Sequence, residues 1–214
     1  RYPNTARLFE RHGLDYCCHG KQRLQEACQR HGLPVDLLCR QLADLVRQMG
    51  SESGVNPGDL PVPDLIEYIV SRHHGYVRES VPVLQARLER IVAKHGERFP
   101  YMETVRNLFG ELANDLLSHL AKEEWILFPM MQAQYRQFGQ CLPARISGPI
   151  HVMESEHERA AELMEEIRQL TNEYQPPEQA CQTFRLTLAE LQAFEEDLHR
   201  HVHLENNVLF VSAE

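Results

Sequence analysis

The stretch Arg200–Phe210, "RHVHLENNVLF", places two histidines on alternate positions, continuing from His199 just before it, and then a glutamate inside an otherwise apolar run. A helix turns about 100° per residue, so His201 and Glu205, four apart, share a face while His199 and His203 point elsewhere. A second stretch, "SHLAKEEWILFP" (Ser118–Pro129), matches it position by position: His119 with His201, Glu123 with Glu205, Leu127 with Leu209 and Phe128 with Phe210. The offset between the two is 82 residues, and His74 and His157 stand 83 apart. Each half of the chain therefore reads as one His, a second His 44 or 45 residues later, and a Glu four further on.

These motifs sit in four long stretches of helical periodicity, at about 62–95, 101–138, 147–173 and 178–211, separated by "KHGERFP", "FGQCLPARISGP" and "NEYQPPEQ". No stretch alternates with period two for long enough to suggest a strand. The expectation is an all-α chain built on an antiparallel four-helix bundle, with Pro82 and Pro129 kinking or ending their helices. Ahead of the bundle, "NTARLFERHG", "KQRLQEACQRHG" and "PVDLLCRQLADLVRQMG" read as short helices stopped by Gly13, Gly32 and Gly50. "GSESGVNPGDLPVP" is rich in Gly, Ser and Pro and reads as a linker. The expected organisation is a small helical domain over 1–50, a linker over 51–61 and the bundle over 62–214.

Register decides which faces are inward. Ile66, Val70, His74, Val77 and Val81 form one apolar stripe, and Leu112, Leu116, His119, Glu123, Ile126 and Met130 a second. Met153, His157, Ala160 and Met164 form the third, and Leu191, Phe194, Leu198, His201, Glu205 and Val208 the fourth. His199 and His203 align instead with Glu195, Glu196 and Asn207, read as a solvated face. Six polar groups thus face the core. Burying them unpartnered loses several kcal/mol of hydration each, so something must compensate. For any one of them singly, a core histidine bonded to an acid is the simpler account. Six in duplicated spacing favour metal, because imidazole nitrogens and carboxylate oxygens suit iron, manganese or zinc. Two His and one Glu from each half suit two metals bridged by the carboxylates, with coordination positions left open. The competing pairs Glu154-x-x-His157 and Glu196-x-x-His199 mimic ferritin-like di-iron bundles, but Glu196 and His199 lie off the stripe and Ser71 stands where Glu154 needs a counterpart.

Composition narrows the function classes. The 214 residues carry 22 Lys and Arg against 31 Asp and Glu, a formal charge of −9, with no basic stripe to track phosphates. Nucleic acid and anionic membrane are not expected partners. No apolar run approaches the roughly 20 residues that span a bilayer, and no signal peptide is visible, so a cytoplasmic protein is expected. The six cysteines, Cys17 and Cys18 adjacent among them, make a poor disulfide framework and fit reduced thiols.

With "LDYCCHGKQ", "SHLAKEEWILFPM", "VMESEHE" and "HLENNVLF" read together, the chain resembles the bacterial repair-of-iron-centres proteins of the ScdA and YtfE type, over nearly its whole length. That resemblance implies a small ScdA-like N-terminal domain, then a haemerythrin-like four-helix bundle with a non-haem di-iron centre. Transferred motif by motif, it implies the ligands His74, His119, Glu123, His157, His201 and Glu205, the set that the repeat selects. It also implies two carboxylate-bridged iron ions, with an oxo or hydroxo group as a further bridge. His19 stands where the family has Gly. His73 beside His74 offers a neighbouring ligand, but stripe and spacing both select His74.

Cys17 and Cys18 read either as a thiol site reacting with nitrosative species or a partner, or as small residues in a turn. Cys28 and Cys39 are expected to pack as apolar fillers. Glu156, directly before a candidate ligand, reads either as an outer partner of the site or at its access channel, or more simply as a solvated helix residue, and Trp125 is expected in packing. The function implied is repair of iron–sulfur clusters injured by nitrosative or oxidative stress, with damaged iron–sulfur proteins as partners. Two mechanisms suit it: iron donation, and nitric oxide binding and reduction at the diferrous centre. A haemerythrin-like oxygen or redox sensor or carrier is the alternative, and association into a homodimer is left open.

Overall fold

Helix boundaries in this chain follow its glycines and prolines. The computed structural model describes residues 8–9, 12–14, 22–48, 56–139 and 143–211, apart from the side chains of 46–48 and 143–145. Among these, every regular element is helical. Helix α1 (Leu24–Arg30) stops just before Gly32, whose φ of +63° suits glycine and strains other residues. Helix α2 (Val35–Gln48) begins directly after Pro34. Leu8, Leu14, Ala27, Cys28 and Leu38 bury one another in a small core of their own. Cys28 packs there as expected, but Cys39 is exposed, a correction to the filler reading. Leu38, Leu42 and Leu45 hold the inward stripe of α2, and Cys39 stands about 100° round from it. Cys17 and Cys18 lie outside the described residues, as does 51–55 of the expected linker. Its remainder carries a 3₁₀ turn, Pro57–Asp59, where the Gly58 N–H donates to Asn56 Oδ1 at 3.2 Å.

Four helical rods follow. The first is α3 (Val62–Ile69), a π-helical turn (Val70–His74) and α4 (Gly75–His95). The second is α5 (Tyr101–Lys122), a π turn (Glu123–Leu127) and α6 (Phe128–Phe138). The third is α7 (Pro143–Leu170), and the fourth is α8 (Gln182–Leu204) with a π turn (Glu205–Leu209). Short connections reverse the chain, so that α4 packs on α5 and α8, and α5 on α7. This is the antiparallel four-helix bundle. Among the described residues, no helix is long and apolar enough to cross a membrane.

The bundle interior falls into two apolar clusters. One runs from Val77 through Phe109, Leu120, Met164, Phe194 and Val202. The other holds Ile66, Ile69, Leu127, Phe128, Met153, Leu209 and Phe210. Each buried Leu, Ile or Phe in them contributes about 1.5–3 kcal/mol. Between them, at the level of residues 74, 119, 157 and 201, lies a polar layer.

The π turns correct the sequence register. A π turn takes more residues per turn than an α turn, so the inward positions slip by one beyond it. Ile126, expected inside, is 55% exposed, while Leu127 is buried. Val208 is likewise half-buried while Leu209 is fully buried. On the first rod Ile69 is buried and Val70 is half-buried. Trp125, expected in packing, is 81% exposed, because it stands off the inward stripe, about 200° round from Glu123 in a regular helix. Glu195, expected in solvent, is buried near Arg168, whose Nε lies 3.6 Å from its carboxylate. Pro82 does not end its helix, since α4 continues to His95 with Pro82 on the exposed side. Pro129 falls in the first turn of α6, directly after a π turn, where its missing N–H is tolerated.

Candidate metal centre

Three of the four rods place their polar residues through a π turn: one ends at His74, and the others begin at Glu123 and Glu205. The third rod delivers His157 from an unbroken α-helix. All six residues expected as ligands come together in the polar layer, each no more than 2% exposed.

They form two groups that share both carboxylates. His74 and His201 face each other at 3.1 Å between Nε2 atoms, and His119 and His157 do so at 2.9 Å. Glu123 lies between the pairs, with Oε2 3.4 Å from His74 Nε2 and Oε1 3.3 Å from His119 Nε2. Glu205 does the same from the opposite rod: Oε1 is 2.9 Å from His201 Nε2 and Oε2 is 3.1 Å from His157 Nε2. In each group of two His and two Glu, one donor atom per residue lies within 4.8 Å of all the others. Glu123 Oε1 and Oε2 and Glu205 Oε2 are buried without a hydrogen bond. Such orphaned carboxylate oxygens are costly unless a cation takes them. Two cations, each between one histidine pair and one oxygen of each glutamate, fit this donor set. Neither group takes in Glu154, Glu196 or His199, and Glu154 pairs with exposed His151 at 3.2 Å.

Outer contacts fix three of the rings. His74 Nδ1–H donates to Glu124 Oε1 at 2.6 Å, and Arg78 Nη2 donates to the same oxygen at 2.8 Å. His119 Nδ1–H donates to Glu156 Oε2 at 2.8 Å, and Lys122 pairs with the other oxygen. His157 Nδ1–H donates to Asn206 Oδ1 at 2.9 Å. Donation at Nδ1 aims each Nε2 lone pair inward and raises its basicity as a ligand. Of the two readings of Glu156, the structure supports the outer partner, bonded to His119, over the simpler solvated residue. Glu124 and Asn206 were missed in the sequence, although each directly follows a motif glutamate.

Charge balance in the protein alone is carried by protons. Burial opposes charge on His74, but the Glu123 and Glu205 carboxylates facing its Nε2 outweigh it and push the imidazole up to about 10. His119 follows the same pattern, burial being outweighed by the Glu123 charge, and rises to about 9. Burial would also raise Glu205, but His201 and the neighbouring rings hold it well below the usual carboxylate range. Two imidazolium protons therefore balance two buried carboxylates, at the positions two cations would neutralise.

Known proteins resemble this chain along its length. The family model of the hemerythrin HHE cation binding domain matches residues 65–212. A second model, ScdA_N, a domain of unknown function (DUF542), matches residues 1–46. The iron-sulfur cluster repair protein YtfE of Yersinia pseudotuberculosis serotype IB (strain PB1/+) is 38% identical over 211 residues, 99% of this chain and 91% of that protein. The protein of the same name from Yersinia pestis (strain Pestoides F) has the same identity and coverage.

Proposed function

Because the chain belongs to the hemerythrin HHE cation-binding family and, at 99% coverage, to that of the YtfE iron–sulfur cluster repair proteins, we propose that it repairs damaged iron–sulfur clusters through a di-iron centre. His74 and His201 would hold one iron and His119 and His157 the other, with Glu123 and Glu205 shared between them. The observation that carries this reading is that each glutamate reaches both histidine pairs, one oxygen to each. Two ferrous ions held this way supply reducing electrons, open positions for nitric oxide, and iron that can be given up to an acceptor.

The protein's own residues set the terms. The two apolar clusters exclude water above and below the polar layer. Glu124 and Glu156, partly exposed, connect the Nδ1 protons of His74 and His119 to the surface, where Arg78 and Lys122 hold them. Four imidazoles and two carboxylates would leave positions open to ligands on each iron they hold, a donor set suited to reaction or release more than to reversible oxygen carriage. Residues 62–214 carry the iron in this reading. The domain over 1–50, joined by 51–61, carries Cys17 and Cys18 as candidate thiols for nitrosative species. Damaged iron–sulfur proteins in the cytoplasm are the partners.

The test is an enzyme whose iron–sulfur cluster has been damaged by nitric oxide, incubated with iron-loaded protein under anaerobic conditions. Recovery of its activity with matching loss of iron from the chain supports donation. Consumption of nitric oxide without iron loss assigns the reductive mechanism. Fully loaded protein that shows neither recovery of the enzyme nor consumption of nitric oxide would contradict the proposal.

A further inference from the structure

Three of the four inward histidines are fixed by a hydrogen bond at Nδ1, and the fourth is not. His201 is 1% exposed, and its Nδ1 is buried with no hydrogen-bond partner. What lies against its ring is His73: the ring centroids are 5.5 Å apart and the planes 2° from parallel. His73 is itself 3% exposed and is held on two sides. Its Nδ1–H donates to Asp197 Oδ2 at 3.0 Å, and the Tyr68 ring meets it edge-on at 5.8 Å. Asp197 stands one turn before His201 on α8, with Arg200 Nη2 3.6 Å from its other oxygen. Adjacent residues of a regular helix point about 100° apart, yet the π turn Val70–His74 buries both His73 and His74. The ligand reading has no use for this second histidine.

We propose that His73 is a positioning residue: it holds the ring of His201 by stacking, in place of the hydrogen bond that fixes the other three, and so leaves one iron more readily released than its partner. The inference rests on the di-iron reading above. A stacked ring limits rotation of the imidazole without taking its Nδ1, so His201 lacks the gain in basicity that an acceptor at Nδ1 confers. Outer partners of metal-bound histidines are worth about 10–100-fold in affinity. The iron between His74 and His201 is thus bound by one strengthened and one unstrengthened imidazole, whereas its partner has two strengthened ones.

The experiment uses the full chain loaded with iron and two variants, His73→Leu and His73→Phe. Both remove the bond to Asp197, which keeps Arg200, and both fill the buried space. Only phenylalanine restores a stacking ring. Iron content, the rates of iron transfer to an anaerobic chelator and the Mössbauer spectrum are recorded for each. In H73L, one of the two irons is expected to leave at least about tenfold faster, with a changed quadrupole splitting, while the other is unaffected. H73F is expected to restore wild-type rates. Unchanged release in H73L, equal acceleration of both irons, or equal damage in H73F overturns the inference while wild-type iron stays near two per chain. A wild-type chain without two irons overturns the di-iron reading itself, and this inference with it.

Discussion

Glu123 and Glu205 approach the same nitrogen from different rods: Glu123 Oε2 lies 3.4 Å and Glu205 Oε1 3.6 Å from His74 Nε2. Each begins a π turn, and each sends its other oxygen toward the His119–His157 pair. The two carboxylates are therefore equivalent in position, and the consequences of losing either can be stated.

Glu205→Gln keeps the shape and removes the charge. Iron content is expected to fall from two per chain to one or below, while the metal-free helical signal is retained. Elemental analysis beside circular dichroism checks this. A variant that keeps both irons contradicts a bridging role for Glu205.

The register separates histidines two residues apart. His201 is buried, whereas His203 is half-buried and meets Asn207 at 3.2 Å. His201→Ala is expected to lose iron and cluster repair, and His203→Ala to lose neither. Equal effects in the two variants contradict the inward face assigned to this rod.

Protonation gives a pH signature. His74 and His119 are raised to about 10 and about 9, so near pH 7 both carry protons that metal must displace. Anaerobic loading with ferrous ion is expected to release about two protons per chain between pH 7 and 8, and apparent affinity is expected to rise with pH. The stability that these two imidazoliums contribute to metal-free protein runs the other way. It is fully present below their unfolded value of 6.5 and is lost as pH rises through about 9 to 10. Titration calorimetry in two buffers of different ionisation enthalpy measures the protons. Loading without proton release contradicts the charge balance described here.

The slip at the second π turn has a mechanical consequence. Leu127→Ala opens a cavity in a buried cluster and is expected to cost about 2–5 kcal/mol. Ile126→Ala, at an exposed position, is expected to stay within about 0.5 kcal/mol. Thermal or urea unfolding distinguishes them, and a reversed order of cost contradicts the register.

Much of this was legible because the repeat of His, then His-x-x-x-Glu, is a spacing between residues on separate helices. It survives any local irregularity within a helix. The convergence of His74, His119, Glu123, His157, His201 and Glu205 follows from it, while the four-helix bundle follows from helical periodicity and its hemerythrin-like character from the resemblance of the motifs. What failed lay within one turn of the motifs. Regular α periodicity places Ile126 and Val208 inward, and the π turns at Glu123 and Glu205 move them outward. Nothing in propensity marks a π turn, because its extra residue is tolerated where tertiary packing and a functional site hold it. Glu124, Glu156 and Asn206 sit beside the stripe on the rim of the site, where sequence pattern alone resembles a solvated face. The burial of His73 beside His74 depends on a third such turn, Val70–His74, which the sequence does not mark either.

Iron per chain tests the central claim most directly: elemental analysis of protein prepared without oxygen, followed by a visible spectrum after controlled oxidation. Near two irons per chain, with the charge-transfer bands of a bridged diferric pair, is the expected result. One zinc, or no metal, in fully folded protein would contradict it and leave the six inward side chains as a hydrogen-bonded polar layer held together by protons.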